Sequence, residues 1–234
     1  MDRRLGVLAF GDSITNGGGE LQWGVALQSW ALWLARGLGL PYTGYAADGA
    51  TAADVVGEQM PACAARSPQG ARYDVGCLYI GVNDVRDRGW DPDRYAHDLD
   101  AAVAFLRARC DRVLVCTLPR DLGRPRAGAK KVEAANAAIE RSGALVVDLR
   151  GFGARNRVMV DAVHPTAFGQ IAIAERALDV LAADGMAVRV RPHTLIAYET
   201  TRRRRLRGDA TYAYRQAKQA LGIAARRAGG RDGG

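Results

Sequence analysis

Apolar residues along this chain of 234 residues fall into two alternating patterns. Short, nearly continuous runs (Leu5–Phe10, Pro41–Ala46, Val75–Ile80, Arg112–Leu118 and Ala144–Leu149) have the length of β-strands. The run Val75–Ile80 is apolar on both faces, as a buried parallel strand requires. Between the runs, apolar residues recur at steps of three and four, the period of an amphipathic helix. Such series are Trp23, Leu27, Trp30, Leu34 and Leu38, closed by Gly39, and Tyr95, Leu99, Val103 and Leu106 after Asp91-Pro92. Thr51–Arg66, Lys130–Arg141 and Thr166–Ala183 read as helices too, the last with Ile171, Ala174, Leu178 and Leu181 on one stripe. Strands separated by helices at this spacing predict an α/β fold: a mostly parallel five-stranded sheet covered on both faces.

In such sheets ligands bind beyond the carboxyl ends of the strands, so those ends are where chemistry is to be sought. The first strand runs into Gly11-Asp12-Ser13-Ile14-Thr15 and a glycine-bearing loop, Asn16-Gly17-Gly18-Gly19. A serine there is exposed but weakly nucleophilic until a base lies within hydrogen-bond reach. The chain has three histidines. His97 falls on the helix opened by Asp91-Pro92 and reads as a surface residue, and His193 lies beside the basic tail. His164 precedes Pro165, which favours extended backbone and holds it outside the following helix. Asp161, three residues earlier, can turn back to the other imidazole nitrogen, orient it and stabilise the imidazolium.

Acyl transfer also needs donors for the oxyanion, and losing one costs roughly 10²–10³ in turnover. Candidates are the backbone N–H groups of Ser13 and Gly49 and the side-chain amide of Asn83, which follow successive strands. Glycine at 49 allows the backbone to approach a substrate closely. Trp90 could line an acyl pocket, but its place before Asp91, Pro92 and Tyr95 favours a hydrophobic staple. Gly17-Gly18-Gly19 lacks the Gly-Lys-Ser/Thr ending of a phosphate-binding loop. Asp12 and Asp84 lack the neighbouring ligands of a metal pair, so neither a metal nor a cofactor is expected.

The net charge of +8 changes meaning once it is located. Residues 198–234 contain ten Lys/Arg, among them Arg202-Arg203-Arg204-Arg205, against three acids, so the tail carries +7 and the remainder +1. Helical character returns from Asp209, where Ala210, Ala213, Ala217, Leu221 and Ala224 form a thin stripe. The partners to weigh for this tail are an anionic membrane surface, nucleic acid, or docking on the domain or a second subunit. A solvated, partly disordered extension fits the same composition. Nucleic acid is disfavoured, because no aromatic stacking platform accompanies the arginines. No feature specifies an oligomeric state. Cys63, Cys77, Cys110 and Cys116 form no Cys-x-x-Cys pair and read as small buried hydrophobes. The first apolar run is too short for a secretory signal, so a cytoplasmic location is expected.

Gly11-Asp12-Ser13-Ile14-Thr15, Gly49, Gly81-Val82-Asn83-Asp84 and Asp161-Ala162-Val163-His164-Pro165 together resemble the four blocks of the SGNH (GDSL-type) hydrolases, in that family's order. The resemblance covers about residues 5–184. It implies a flavodoxin-like three-layer α/β/α sandwich and a cofactor-independent esterase acting on small-molecule, lipid or acylated-sugar esters or thioesters. Ser13 would be the nucleophile, His164 the base, Asp161 its orienter, and Ser13, Gly49 and Asn83 the oxyanion hole. Val82 and Ile14 depart from the usual pattern without removing a reacting atom. Residues 1–190 are then the hydrolase domain and 191–234 a basic extension. Two alternatives keep the same residues: an acyltransferase sharing the acyl-enzyme, and a binding protein acting through its tail.

Overall fold

A computed structural model describes residues 5–68, 70–122, 127–153, 156–159, 161–196 and 201–229, without the side chains of 215, 216, 219, 220 and 222–229. The tail's Ala224, Arg215, Arg226, Arg227 and Arg231 therefore have side chains outside the described set. Five strands make one parallel sheet in the order β2-β1-β3-β4-β5. They are β1 (Val7–Gly11), β2 (Tyr42–Gly44), β3 (Tyr73–Tyr79), β4 (Cys110–Cys116) and β5 (Leu145–Val147). Pairing runs Val7 to Val75 through Gly11 to Tyr79 between β1 and β3, and Val75 to Arg112 through Leu78 to Val115 between β3 and β4. β1 is buried along its whole length, which is why it reads as a continuous apolar run.

Helices cover both faces, giving the three-layer α/β/α sandwich. α1 (Trp30–Leu38) and α6 (Ala167–Ala183) pack together on one face, where a Cβ on Gly37 would come within 2.6 Å of Leu178. On the other face α4 (Pro92–Arg107) packs on α5 (Ala129–Arg141) and on α2 (Ala52–Asp54), which continues through a π-helical turn, Val55–Gln59, into α3 (Met60–Arg66). Asp91 caps α4 with its side chain, and Trp90 stacks on Tyr95 at 5.3 Å between ring centroids, the staple expected of that sequence. Cys110 opens β4, and all four cysteines are buried and form no disulfide.

Two helices start elsewhere than their periodicity predicts. α1 begins at Trp30, not Trp23: Trp23 and Gly24 take left-handed backbone (φ 52° and 82°), and Ser29 caps the helix through its hydroxyl. Trp23 instead packs on Phe168 of α6. In the tail, α7 (Arg202–Gly229) begins seven residues before Asp209 and takes in the arginine run. The stripe of Ala210, Ala213, Ala217 and Leu221 is exposed, while Gly208 and Tyr212 on another face are half-buried. Residues 189–195 return along the domain: Arg189 and Val190 donate to Gly37, and Pro192 is buried. No helix among the described residues is long and apolar enough to cross a membrane.

Candidate active site

The strand order reverses between β1 and β3, and the sequence blocks converge beyond that point. Ser13 follows β1, Gly49 follows β2 and Asn83 follows β3; His164 arrives on the loop before α6. Ser13 Oγ lies 2.8 Å from His164 Nε2, across 151 residues of sequence. His164 Nδ1 lies 2.6 Å from Asp161 Oδ2, and Asp161 Oδ1 accepts the backbone N–H groups of Val163 and His164 at 2.9 and 3.0 Å. Asp161 thereby holds both the loop and the ring. Its hydrogen bond raises the pKa of His164 above the usual 6.5, against the opposing pull of burial. Burial pushes the Asp161 carboxyl up, but the hydrogen bonds from His164 and Val163 outweigh it and leave a net lowering.

Three donors face the same end. Neither the Ser13 nor the Gly49 backbone N–H has a partner among the described residues. Gly49 sits at φ 80° with open space where a Cβ would stand, so glycine meets a backbone requirement there, not a packing one. Asn83 Nδ2 donates to Ala50 O at 2.9 Å, which fixes its orientation and leaves its second N–H. Asp84, beside it, accepts Ala52 N–H at the start of α2 and so ties the third block to the second.

Sequence reasoning missed two buried glutamines. Gln59, on the π-helical turn, accepts from Gly11 N–H at 3.0 Å and donates to Gly11 O at 2.8 Å. Gln170, on α6, accepts from Trp30 N–H and donates to the carbonyls of Ile14 and Gly18. The two amides hold the loop around Ser13 from opposite faces of the sheet. Polar positions on otherwise apolar helix stripes were the available signal. Asp12 has one oxygen on Ile14 N–H at 2.9 Å and the other buried without a partner; burial lifts its pKa to about 7. Of the remaining histidines, His97 is exposed, and exposed His193 pairs with Glu175.

A model of the GDSL-like lipase/acylhydrolase family matches residues 9–171, and the chain belongs to that family. It is an SGNH-type carboxylic ester hydrolase. Solved structures agree on the fold. LAE5, an α/β hydrolase enzyme from the metagenome of Lake Arreo, Spain, is 22% identical over 78% of this chain and 97% of its own, with a TM-score of 0.59. Axe2, an acetylxylan esterase from Geobacillus stearothermophilus, is 20% identical over 75% of this chain and 93% of its own, with a TM-score of 0.56. Matches to Axe2 include catalytic mutants at a serine, an aspartate and a histidine. No curated protein sequence matches the chain.

Proposed function

We propose that ester cleavage runs through an acyl-enzyme on Ser13, with His164 as general base and Asp161 as its orienter. The observation that carries this is the continuous line Ser13 Oγ–His164 Nε2–His164 Nδ1–Asp161 Oδ2, at 2.8 and 2.6 Å. The aspartate and histidine mutated in Axe2 are three positions apart, the separation of Asp161 and His164. His164 Nε2 takes the Ser13 proton as Oγ attacks the acyl carbonyl, and the imidazolium gives it to the departing alcohol oxygen. The oxyanion meanwhile accepts from Ser13 N–H, Gly49 N–H and Asn83 Nδ2–H. Water, activated by His164 in turn, attacks the acyl-enzyme, releasing the acid and regenerating Ser13.

A fluorophosphonate probe tests this directly: the wild type is labelled at Ser13 and turns over ethyl acetate, and Ser13→Ala does neither. Equal labelling of the variant would refute the assignment. The substrate is a small-molecule, lipid or acylated-sugar ester, and the unit that acts on it spans residues 1–190. Residues 191–234 form its basic extension. On α7 the exposed Leu206, Tyr214 and Leu221 among arginines suit an anionic membrane surface. Sedimentation with phosphatidylserine vesicles, and none with phosphatidylcholine, is the expected result. A cytoplasmic location fits four buried cysteines that form no disulfide, and cell fractionation checks it.

A further inference from the structure

Two cavities lie against the loop that carries His164, and Met159 and Tyr212 border both. One, of about 400 Å³, is walled by Arg120, Phe152, Ala162 and Val163. The other, of about 270 Å³, is walled by Trp23, Thr166, Arg204 and Arg207. α7 thus contributes Arg204, Arg207, Gly208, Thr211 and Tyr212 to these walls, positions that share one helical face at steps of three and four. Gly208 permits the approach, since a Cβ there would stand 3.1 Å from the Trp23 indole nitrogen. The opposite wall is held in place by its backbone: Glu20 pairs with Thr166, and a Cβ on Gly19 would fall 2.1 Å from Pro165 O.

The direction of the reaction says what these cavities receive. The imidazolium must protonate the departing oxygen, so the alcohol portion of an ester leaves on the His164 side. Ala162, Val163 and Pro165, the chain neighbours of His164, border the larger cavity, whereas Ser13, His164, Gly49 and Asn83 themselves border neither. Charge narrows the class. Arg204 and Arg207 have no ion-pair partner among the described residues, while Glu20 on the facing wall is itself engaged. In the larger cavity Arg150 is committed to Asp148 and Glu140, Asp121 is engaged, and Arg120 adds a further positive charge.

We infer that α7 closes a leaving-group subsite for an ester whose alcohol portion carries an anionic group, phosphate or carboxylate, held by Arg204 and Arg207 with Tyr212 as the wall. This rests on the proposed Ser13 hydrolase. The test compares a monoacetylated glucose with the corresponding monoacetylated glucose phosphate as substrates of the full chain. Wild type should favour the phosphate in kcat/KM by about two- to thirtyfold, the range of two exposed ion pairs. That preference should vanish near 1 M salt, where the screening length is about 3 Å. Arg204→Ala with Arg207→Ala should bring kcat/KM for the phosphate down to that for the neutral sugar, with the far-ultraviolet circular dichroism unchanged. Tyr212→Ala should raise KM for both sugars more than it lowers kcat. Equal rates for the two sugars in wild type overturn the subsite, as does a preference that survives in the double variant. So does turnover of neither sugar by an enzyme whose Ser13 takes the fluorophosphonate. Failure of that labelling would instead bring down the hydrolase reading and the subsite with it.

Discussion

Replacing Asp12 with asparagine should change the pH dependence of stability more than any other single substitution near the Ser13 loop. Asp12 is 1% exposed, Oδ1 is bound to Ile14 N–H, and Oδ2 is buried without a partner. Burial raises its pKa from 3.8 to about 7, with the backbone hydrogen bond and the nearby His164 pulling the other way. Between those values the folded state holds a proton that the unfolded state has lost, so stability falls as pH rises. A shift of about three units, at about 1.4 kcal/mol each, makes this about 4 kcal/mol, present below pH 4 and lost by about pH 7. Asparagine keeps the acceptor for Ile14 and never ionises, but it leaves a buried NH₂ where Oδ2 stood, at about 1–3 kcal/mol. Asp12→Asn should therefore be less stable than wild type at pH 4.5 and more stable, by about 1–3 kcal/mol, at pH 8. Urea unfolding at half-unit steps from pH 4.5 to 8 measures this. Subtracting the two curves removes most of the contribution of Asp84, whose pKa burial raises to about 6 and which acts with the same sign. Parallel curves for wild type and variant would refute the reasoning.

Three further outcomes are expected. On the proposed mechanism the base is neutral His164, whose pKa Asp161 raises, so the acid limb of the kcat/KM profile should lie above pH 6.5; Asp161→Asn should lower the rate and move that limb to lower pH. Asn83→Ala should cut kcat by roughly 10²–10³ with little change in KM, the signature of a lost oxyanion donor, and steady-state kinetics on ethyl acetate check it. Gln170→Ala strands the buried Trp30 N–H and takes a donor from the carbonyls of Ile14 and Gly18, and should cost about 2–5 kcal/mol, read as a lower urea midpoint.

Much of this was legible in sequence because each signal is local. β1 and β3 are buried on both faces and read as apolar runs; Asp91-Pro92 with Trp90 and Tyr95 spells a capped, stapled helix. Asp161 and His164 are three residues apart, so their pairing needs only one turn of loop. Where periodicity misled, conformation was decided elsewhere. Trp23 and Leu27 continue the spacing of α1, yet Gly24 and the bridge from Glu20 to Thr166 hold that stretch as a loop. The roles of Gln59 and Gln170 were not legible, since an amide's partners depend on which backbone the fold lays beside it.

The sequence by itself determined the sheet-and-helix order, the three strand ends that carry Ser13, Gly49 and Asn83, and the histidine that could serve them. It did so because burial writes a period into the chain and turns write their residue types. The tertiary structure alone decided that Ser13 meets His164 at 2.8 Å across 151 residues, and that two glutamines from opposite layers clamp the loop between them. It also decided that a basic tail, nearly all of the chain's excess charge, lays one face of α7 against the Trp23 loop and the His164 side. Those are contacts between segments distant in sequence. Their energies come from surfaces brought together only by the packed sheet, and no local pattern encodes them.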